Sequence, residues 1–240
     1  MRSLFVVAVS VLGWLSAAGQ TEDSYDYQTE FVWGVNKNTS GGLFGGLVFK
    51  KARKISDYAL ETFGVEIMNV KHPQEVRRSS QFTGNFFIFG KSNYLYAIRL
   101  QYGRDFILFK KASQQGVEIK AVTAAGPTIG IVAPYYVELR TSPDVFNFTR
   151  REQYNTSMGF NDILGTGNLF EGIGDSRLQL GTNFKAAVNF ELGTVKSQVT
   201  GFETGFLLDA YFNEVVLMPS AKNTALFPTL FFTLFYGSRK

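Results

Sequence analysis

Residues 177–192 alternate with a period of two over an unusual length. Leu178, Leu180, Phe184, Ala186, Val188, Phe190 and Leu192 hold one parity, and Arg177, Gln179, Asn183, Lys185, Asn189 and Glu191 hold the other. Successive side chains of a strand point to opposite faces, so the segment reads as a strand with one apolar and one polar face. Soluble strands usually run about 5–6 residues. A two-faced strand this long suits a wall with lipid on one side and polar contents on the other.

The same alternation recurs along the chain. Phe31, Trp33 and Val35 share a face in residues 30–36; residues 42–50, 62–68, 93–102, 202–212 and 226–236 repeat the pattern. Residues 117–139 keep one parity from Val117 to Leu139, although Pro127 and Pro134 interrupt them. Proline removes a ladder donor and usually marks an edge or a bulge. Two short strands joined at Ala125–Pro127 are therefore an alternative, but the parity does not slip, which favours one long strand. About eight strands result. Residues 52–57, 104–115 and 193–196 form short links on one side; residues 71–92, 140–176 and 213–225 form longer ones on the other, with the tight 37–41 turn as an exception. Short periplasmic turns and long outer loops are the expected asymmetry of an outer-membrane barrel.

The N-terminus has the layout of a secretory signal peptide. Arg2 precedes an apolar run from Leu4 to Leu15, and Ala17 and Gly19 fit the −3 and −1 positions of a cleavage site. The expected division is therefore a signal peptide at 1–19 and a barrel at 20–240. After Leu15 no apolar run approaches the roughly 20 residues of a membrane-crossing helix. A closed barrel is the remaining way across a bilayer, because backbone groups in lipid must pair internally. With no cysteine among 240 residues, disulfides and thiolate metal sites are excluded. Aromatic residues make up 15% and charged residues 18%, which favours lipid-facing strands over a soluble helical domain. The net charge of +4 is spread along the chain, so no nucleic-acid footprint is expected. The fold class that follows is all-β: a closed antiparallel transmembrane barrel of about eight strands in the outer membrane.

Parity assigns Glu30, Lys50, Glu66, Arg99, Glu118, Lys120, Arg177, Lys185, Glu191, Glu203 and Asp209 to the interior. A barrel of about eight strands is just wide enough to hold its own side chains, and an unpaired buried charge is costly. These charges are read as a neutralising network that plugs the interior. The functional alternative is a polar conduit, making the protein a narrow channel or ligand carrier. His72, the single histidine, lies at the start of the 71–92 loop with Ser79 and Ser80 nearby in sequence. A histidine and a loop serine at the membrane rim are the minimum for an outer-membrane lipid hydrolase or acyltransferase. No spacing brings them into contact, and the plainer reading is an exposed loop histidine. Phe160 to Phe170 reads as a short amphipathic helix across the barrel mouth. Phe106, Ile107, Leu108 and Phe109, with Lys110 and Lys111, read as an interfacial anchor. Asp144, Asp162, Glu171 and Asp175 lack a calcium-loop spacing, so neither metal nor cofactor is expected.

Three stretches carry a resemblance: Asn93-Tyr94-Leu95-Tyr96-Ala97-Ile98-Arg99-Leu100-Gln101-Tyr102-Gly103-Arg104, then Gly116-Val117-Glu118-Ile119-Lys120, then Ala125-Gly126-Pro127-Thr128-Ile129-Gly130-Ile131-Val132-Ala133-Pro134-Tyr135-Tyr136. Together they resemble a group of uncharacterised outer-membrane β-barrels of Bacteroidota. The likeness covers residues 84–140, and beyond them extends only to the general barrel pattern. It implies outer-membrane residence and carries over no catalytic residues. The C-terminus departs from the simplest barrel pattern, since Gly237-Ser238-Arg239-Lys240 follow the last aromatic, Tyr236. The expected role is non-enzymatic: a structural or accessory envelope barrel in contact with outer-membrane lipid, presenting long outer loops, and able to join a larger envelope complex. The rival placement is a soluble lipocalin-like barrel, in which the apolar face would point inward.

Overall fold

A computed structural model describes residues 28–110, 116–142, 145–168, 171–192 and 197–240. The signal-peptide expectation at 1–19 lies outside them. Eight strands close into an antiparallel ring: β1 (Thr29–Asn38), β2 (Gly42–Ser56), β3 (Ala59–Val70), β6 (Asn93–Phe109), β7 (Glu118–Pro134), β11 (Arg177–Glu191), β12 (Gln198–Val215) and β13 (Thr224–Arg239). Each wall strand pairs with its sequence neighbour in the ring. Closure comes from β1 against β13, running from Glu30 opposite Arg239 to Asn38 opposite Phe231. Closure leaves no free edge, so every ladder group can be satisfied within the wall.

The two parities sort as a membrane wall requires. Phe31, Trp33, Phe63, Leu178, Leu180, Phe184, Leu230 and Leu234 are exposed on the outside. Their neighbours in sequence, among them Glu30, Val32, Thr62, Asn183, Lys185, Thr229 and Thr233, are buried inside. In water this would be an inverted protein; in a bilayer the outer band is solvated by acyl chains. A lipocalin-like placement, with apolar residues inside, is thereby overturned.

Several strand ends differ from the sequence reading. Strand β2 continues to Ser56, β6 to Phe109 and β13 to Arg239, so residues 52–56 and 104–109 of the links assigned to 52–57 and 104–115 belong to the wall, and 111–115 lie outside the described residues. Phe106–Phe109 end a strand instead of forming a link, and Lys110 lies over the Tyr58 ring at 4.6 Å. Residues 117–139 divide after all, but at Pro134. Strand β7 ends there, and β8 (Tyr136–Ser142) leaves the wall to pair with β9 (Val145–Gln153) and β10 (Ile163–Thr166). Pro127 stays inside β7, and the ladder gap it creates is filled from within. The bridges to β6 skip from Arg99–Thr128 to Tyr102–Ala125. There Asn183 Nδ2 donates toward Gly126 O at 3.0 Å, Pro127 O at 3.1 Å and Leu100 O at 3.4 Å.

The long outer connections are folded. Strands β4 (Arg77–Ser79) and β5 (Phe86–Ile88) pair with each other, and Phe87 enters one apolar cluster with Tyr135, Val137, Leu139, Tyr154 and Ile163. Residues 71–92 and 135–168 thus share a core. The segment read as a helix from Phe160 is one 3-10 turn, Phe160–Asp162, followed at once by β10. Ile163 and Leu164, both buried, are needed in that sheet and core, and an extended chain presents them there.

Candidate functional site

The interior charges stack in tiers along the barrel. At the end where β1 begins and β13 ends, Glu30, Glu118 and Glu191 converge on Lys120 and Arg239. Lys120 Nζ lies 3.0 Å from Glu118 and 3.5 Å from both Glu30 and Glu191. Arg239 reaches Glu30 at 3.1 Å and Glu118 at 3.4 Å, and pairs closely with Glu191. Above them Lys50 bridges Asp105 at 2.8 Å and Glu203 at 3.2 Å. Lys185 then joins Glu203 at 2.6 Å to Glu66 at 2.7 Å. Arg99 continues the chain: its Nη1 lies 3.4 Å from Glu66, and its Nε donates to Asp209 at 2.9 Å. Asp209 also accepts from the Thr128 hydroxyl at 3.2 Å. An apolar lid of Met68, Val70, Leu95, Tyr211, Val215, Leu217 and Phe227 lies beyond Arg99 toward the outer loops.

This arrangement follows from strand parity and barrel width. Each wall strand aims alternate residues at the axis, and in a ring of eight the opposite staves are within side-chain reach. Long Lys and Arg side chains span that distance and meet carboxylates from other strands. Burying such ions is tolerable only when each meets an opposite charge and further hydrogen bonds; the tiers give every member an opposite charge, and Asp105 Oδ1 is left without a hydrogen-bond partner.

Ten of the eleven residues assigned to the interior by parity lie in this network: Glu30, Lys50, Glu66, Arg99, Glu118, Lys120, Lys185, Glu191, Glu203 and Asp209. Arg177 does not. It opens β11 at the outer rim, is exposed, and takes part in none of these ion pairs. Its parity is inward, but its height puts it above the packed interior. Asp105 and Arg239 belong to the network without having been assigned to it. Both continue an inward parity already visible in the sequence, Asp105 from Arg99 and Gln101, Arg239 from Thr233 and Phe235. They were missed because the strand ends were set too early.

His72 is buried, not an exposed loop histidine. Its Nδ1 accepts from the Gln74 amide at 3.2 Å, which makes Nε2 the donor to Lys222 O at 3.1 Å. Its own amide donates to Glu75 Oε1 at 2.9 Å, and Glu75 Oε2 pairs with Lys91 at 2.7 Å. Lys91 lies 4.3 Å from the Tyr94 ring centre, and burial holds its ammonium below the usual lysine range despite Glu75. Ser79 is exposed on β4, and the buried Ser80 hydroxyl donates to Ile163 O at 2.9 Å. The structure therefore spends both ring nitrogens of His72 on backbone groups and the Ser80 hydroxyl on another. A base-activated serine needs a direct His–Ser hydrogen bond, and His72 is placed to tie residues 71–75 to the 213–225 connection.

Ladder, lipid-facing belt and ion-paired interior define the class: an eight-stranded membrane-spanning β-barrel of the outer-membrane type. No family model matches the sequence, and no curated protein matches it. Among solved structures, the chain is similar to Ail, the attachment invasion locus protein of Yersinia pestis, at 8% identity over 90% of this chain and 100% of that one, with a TM-score of 0.40. It is also similar to Neisserial surface protein A, at 8% identity over 89% of this chain and 97% of that one, with a TM-score of 0.39. Neither source is from Bacteroidota, so that finer kinship gains no support from these structures. The fold assignment rests on the ladder and the two faces of the wall.

Proposed function

We propose that the protein is a resident barrel of the outer membrane whose interior is plugged, and that it serves the envelope as a structural or accessory component. The carrying observation is the continuous run of ion pairs from Lys50 through Glu203, Lys185, Glu66 and Arg99 to Asp209, capped by an apolar lid. A water-filled pore would need a wider ring, such as the 16–18 strands of porins. The proposed working part is the outer lobe, in which residues 71–92, 135–168 and 213–225 are knitted into one body and held above the bilayer for a partner in a larger envelope complex. The finer kinship with Bacteroidota barrels rests on residues 84–140 alone.

Reconstitution into a planar bilayer tests the plug. The expected record is a silent membrane; a stable unitary conductance overturns it. Affinity capture from detergent-solubilised native membranes tests the accessory role. Wild-type protein is expected to retain an envelope partner that is lost when the outer lobe is disrupted by Phe87→Asp, with barrel folding verified by heat-modifiable gel mobility. Retention of the same partner by that variant refutes the lobe as the working part.

A further inference from the structure

The outer face of β2, β3, β6 and β7 carries a recess of about 530 Å³ lined by Phe49, Phe63, Val65, Leu100, Ala125 and Pro127. It is an open, shallow recess, of a shape in which one side of an acyl chain can lie. It exists because β7 presents small or flat residues, Ala125 and Pro127, where neighbouring strands present large ones. It also overlies the ladder gap at Leu100–Gln101, the place where Asn183 seals the wall from inside.

The recess has a charged border on one side only. One register step toward the end where β1 begins and β13 ends, Lys51 lies beside Phe63, Tyr102 and Ala125. Two residues further along the strands, Arg53, Glu61, Arg104 and Thr123 sit side by side on the same outward face. Lys51, Arg53 and Arg104 are exposed, and no carboxylate among the described residues forms a salt bridge with them. The one acid in the row, Glu61, accepts a hydrogen bond from the Tyr102 hydroxyl at 2.7 Å and offsets one of the three cations, leaving a net excess of two. The β2–β3, β6–β7 and β11–β12 connections leave from this end and are shorter than the 71–92 and 135–176 connections at the other, which marks it as periplasmic. An apolar recess at acyl depth below a cluster of cations at head-group depth is complementary to one kind of molecule.

We infer that this face is a binding site for an anionic glycerophospholipid of the periplasmic leaflet, with an acyl chain in the recess and the phosphate on Lys51, Arg53 and Arg104. Each cation near a lipid surface favours an anionic head group by an amount that, for a net excess of two, gives a preference of about thirtyfold. The inference rests on the membrane placement proposed above.

Trp33 is a built-in reporter, since it pairs across the ladder with Phe49 at the edge of the recess. Full-length protein carrying Trp14→Phe, so that one indole remains, is reconstituted into phosphatidylcholine vesicles holding a small fraction of dibrominated lipid. Dibrominated phosphatidylglycerol is expected to quench Trp33 as if enriched about thirtyfold over its bulk share, and dibrominated phosphatidylcholine only as its bulk share. Quenching by both lipids reports membrane placement; the difference between them reports the site. Lys51→Gln/Arg53→Gln/Arg104→Gln should remove the difference, and Ala125→Phe, which fills the recess without changing charge, should reduce it. Arg77→Gln/Arg78→Gln/Arg150→Gln, exposed cations of the outer lobe, should leave it intact. Equal quenching by the two lipids in the parent overturns the site. So does a preference that survives both the triple substitution and Ala125→Phe, or one lost in the outer-lobe control. Heat-modifiable gel mobility establishes that each variant is folded.

Discussion

Replacing Arg99 by methionine tests whether the interior charges hold the barrel as a network. Arg99 is almost wholly buried, as are its partners Glu66 and Asp209. The two carboxylates lose unequally. Glu66 keeps Lys185 at 2.7 Å, whereas Asp209 keeps only the Thr128 hydroxyl at 3.2 Å. Removing one partner of a buried pair costs about 3–5 kcal/mol, because a charge is left uncompensated. That is a large part of the roughly 5–15 kcal/mol by which folded proteins are usually stable. Arg99→Met/Asp209→Asn removes the orphaned charge and keeps an acceptor for Thr128. It should recover most of the loss, leaving about 1 kcal/mol for the hydrogen bonds not remade. Urea titration of vesicle-reconstituted protein, followed by heat-modifiable gel mobility and Trp33 emission, measures both. A single variant within about 1 kcal/mol of the parent, or a double variant no more stable than the single, refutes the reasoning.

Three further outcomes are expected. Gly130→Ala places a methyl 2.7 Å from Cε1 of the buried Tyr211 ring and 3.1 Å from Leu95 Cδ1, and should cost about 1–3 kcal/mol of overpacking in the same titration; an unchanged midpoint would show that the ring yields. Glu75→Gln strips the buried Lys91 of its counter-charge, so limited proteolysis should cut the outer lobe faster while the barrel stays folded, and Glu75→Gln/Lys91→Met should slow cleavage again. Burial depresses Lys91 from its ordinary 10.5, with Glu75 opposing the shift, Lys71 adding to it and the Tyr94 ring alongside. Between the lowered folded value and 10.5 the unfolded lobe holds more protons, so lobe stability should rise with pH across that window and show no such rise in Lys91→Met; equal pH slopes in lobe-localised hydrogen exchange would remove Lys91 as the cause.

The staves were legible because a wall strand repeats one simple instruction. Leu178, Leu180 and Phe184 against Asn183 and Lys185 state the two faces in the sequence itself. Ends were less legible. Arg104-Asp105 and Gly237-Ser238-Arg239 look like turn or tail chemistry, yet β6 and β13 run through them because Asp105 and Arg239 have partners inside. Arg177 shows the opposite error, since alternation gives a side but no height. His72 was illegible for a different reason. Its burial depends on Lys222 O, 150 residues away in the chain, and no local pattern announces that contact.

Pro127 connects these scales. A proline in the middle of a strand removes a ladder donor, and at this point the sequence offers a choice between a strand end and a satisfied gap. The deciding residue lies in another strand. Asn183 of β11 gives its amide to the carbonyls around Pro127 and to the Thr128 hydroxyl at 3.0 Å, and takes a hydrogen bond from Gln101 at 3.1 Å. The Thr128 hydroxyl donates in turn to Asp209, and Asp209 holds Arg99. The patch in the wall and the ion pairs of the interior are therefore one hydrogen-bonded unit. Groups joined in this way do not contribute additively, so Asn183→Ala and Arg99→Met should together cost less than the sum of their separate costs. Strict additivity would mean that wall and interior are held independently.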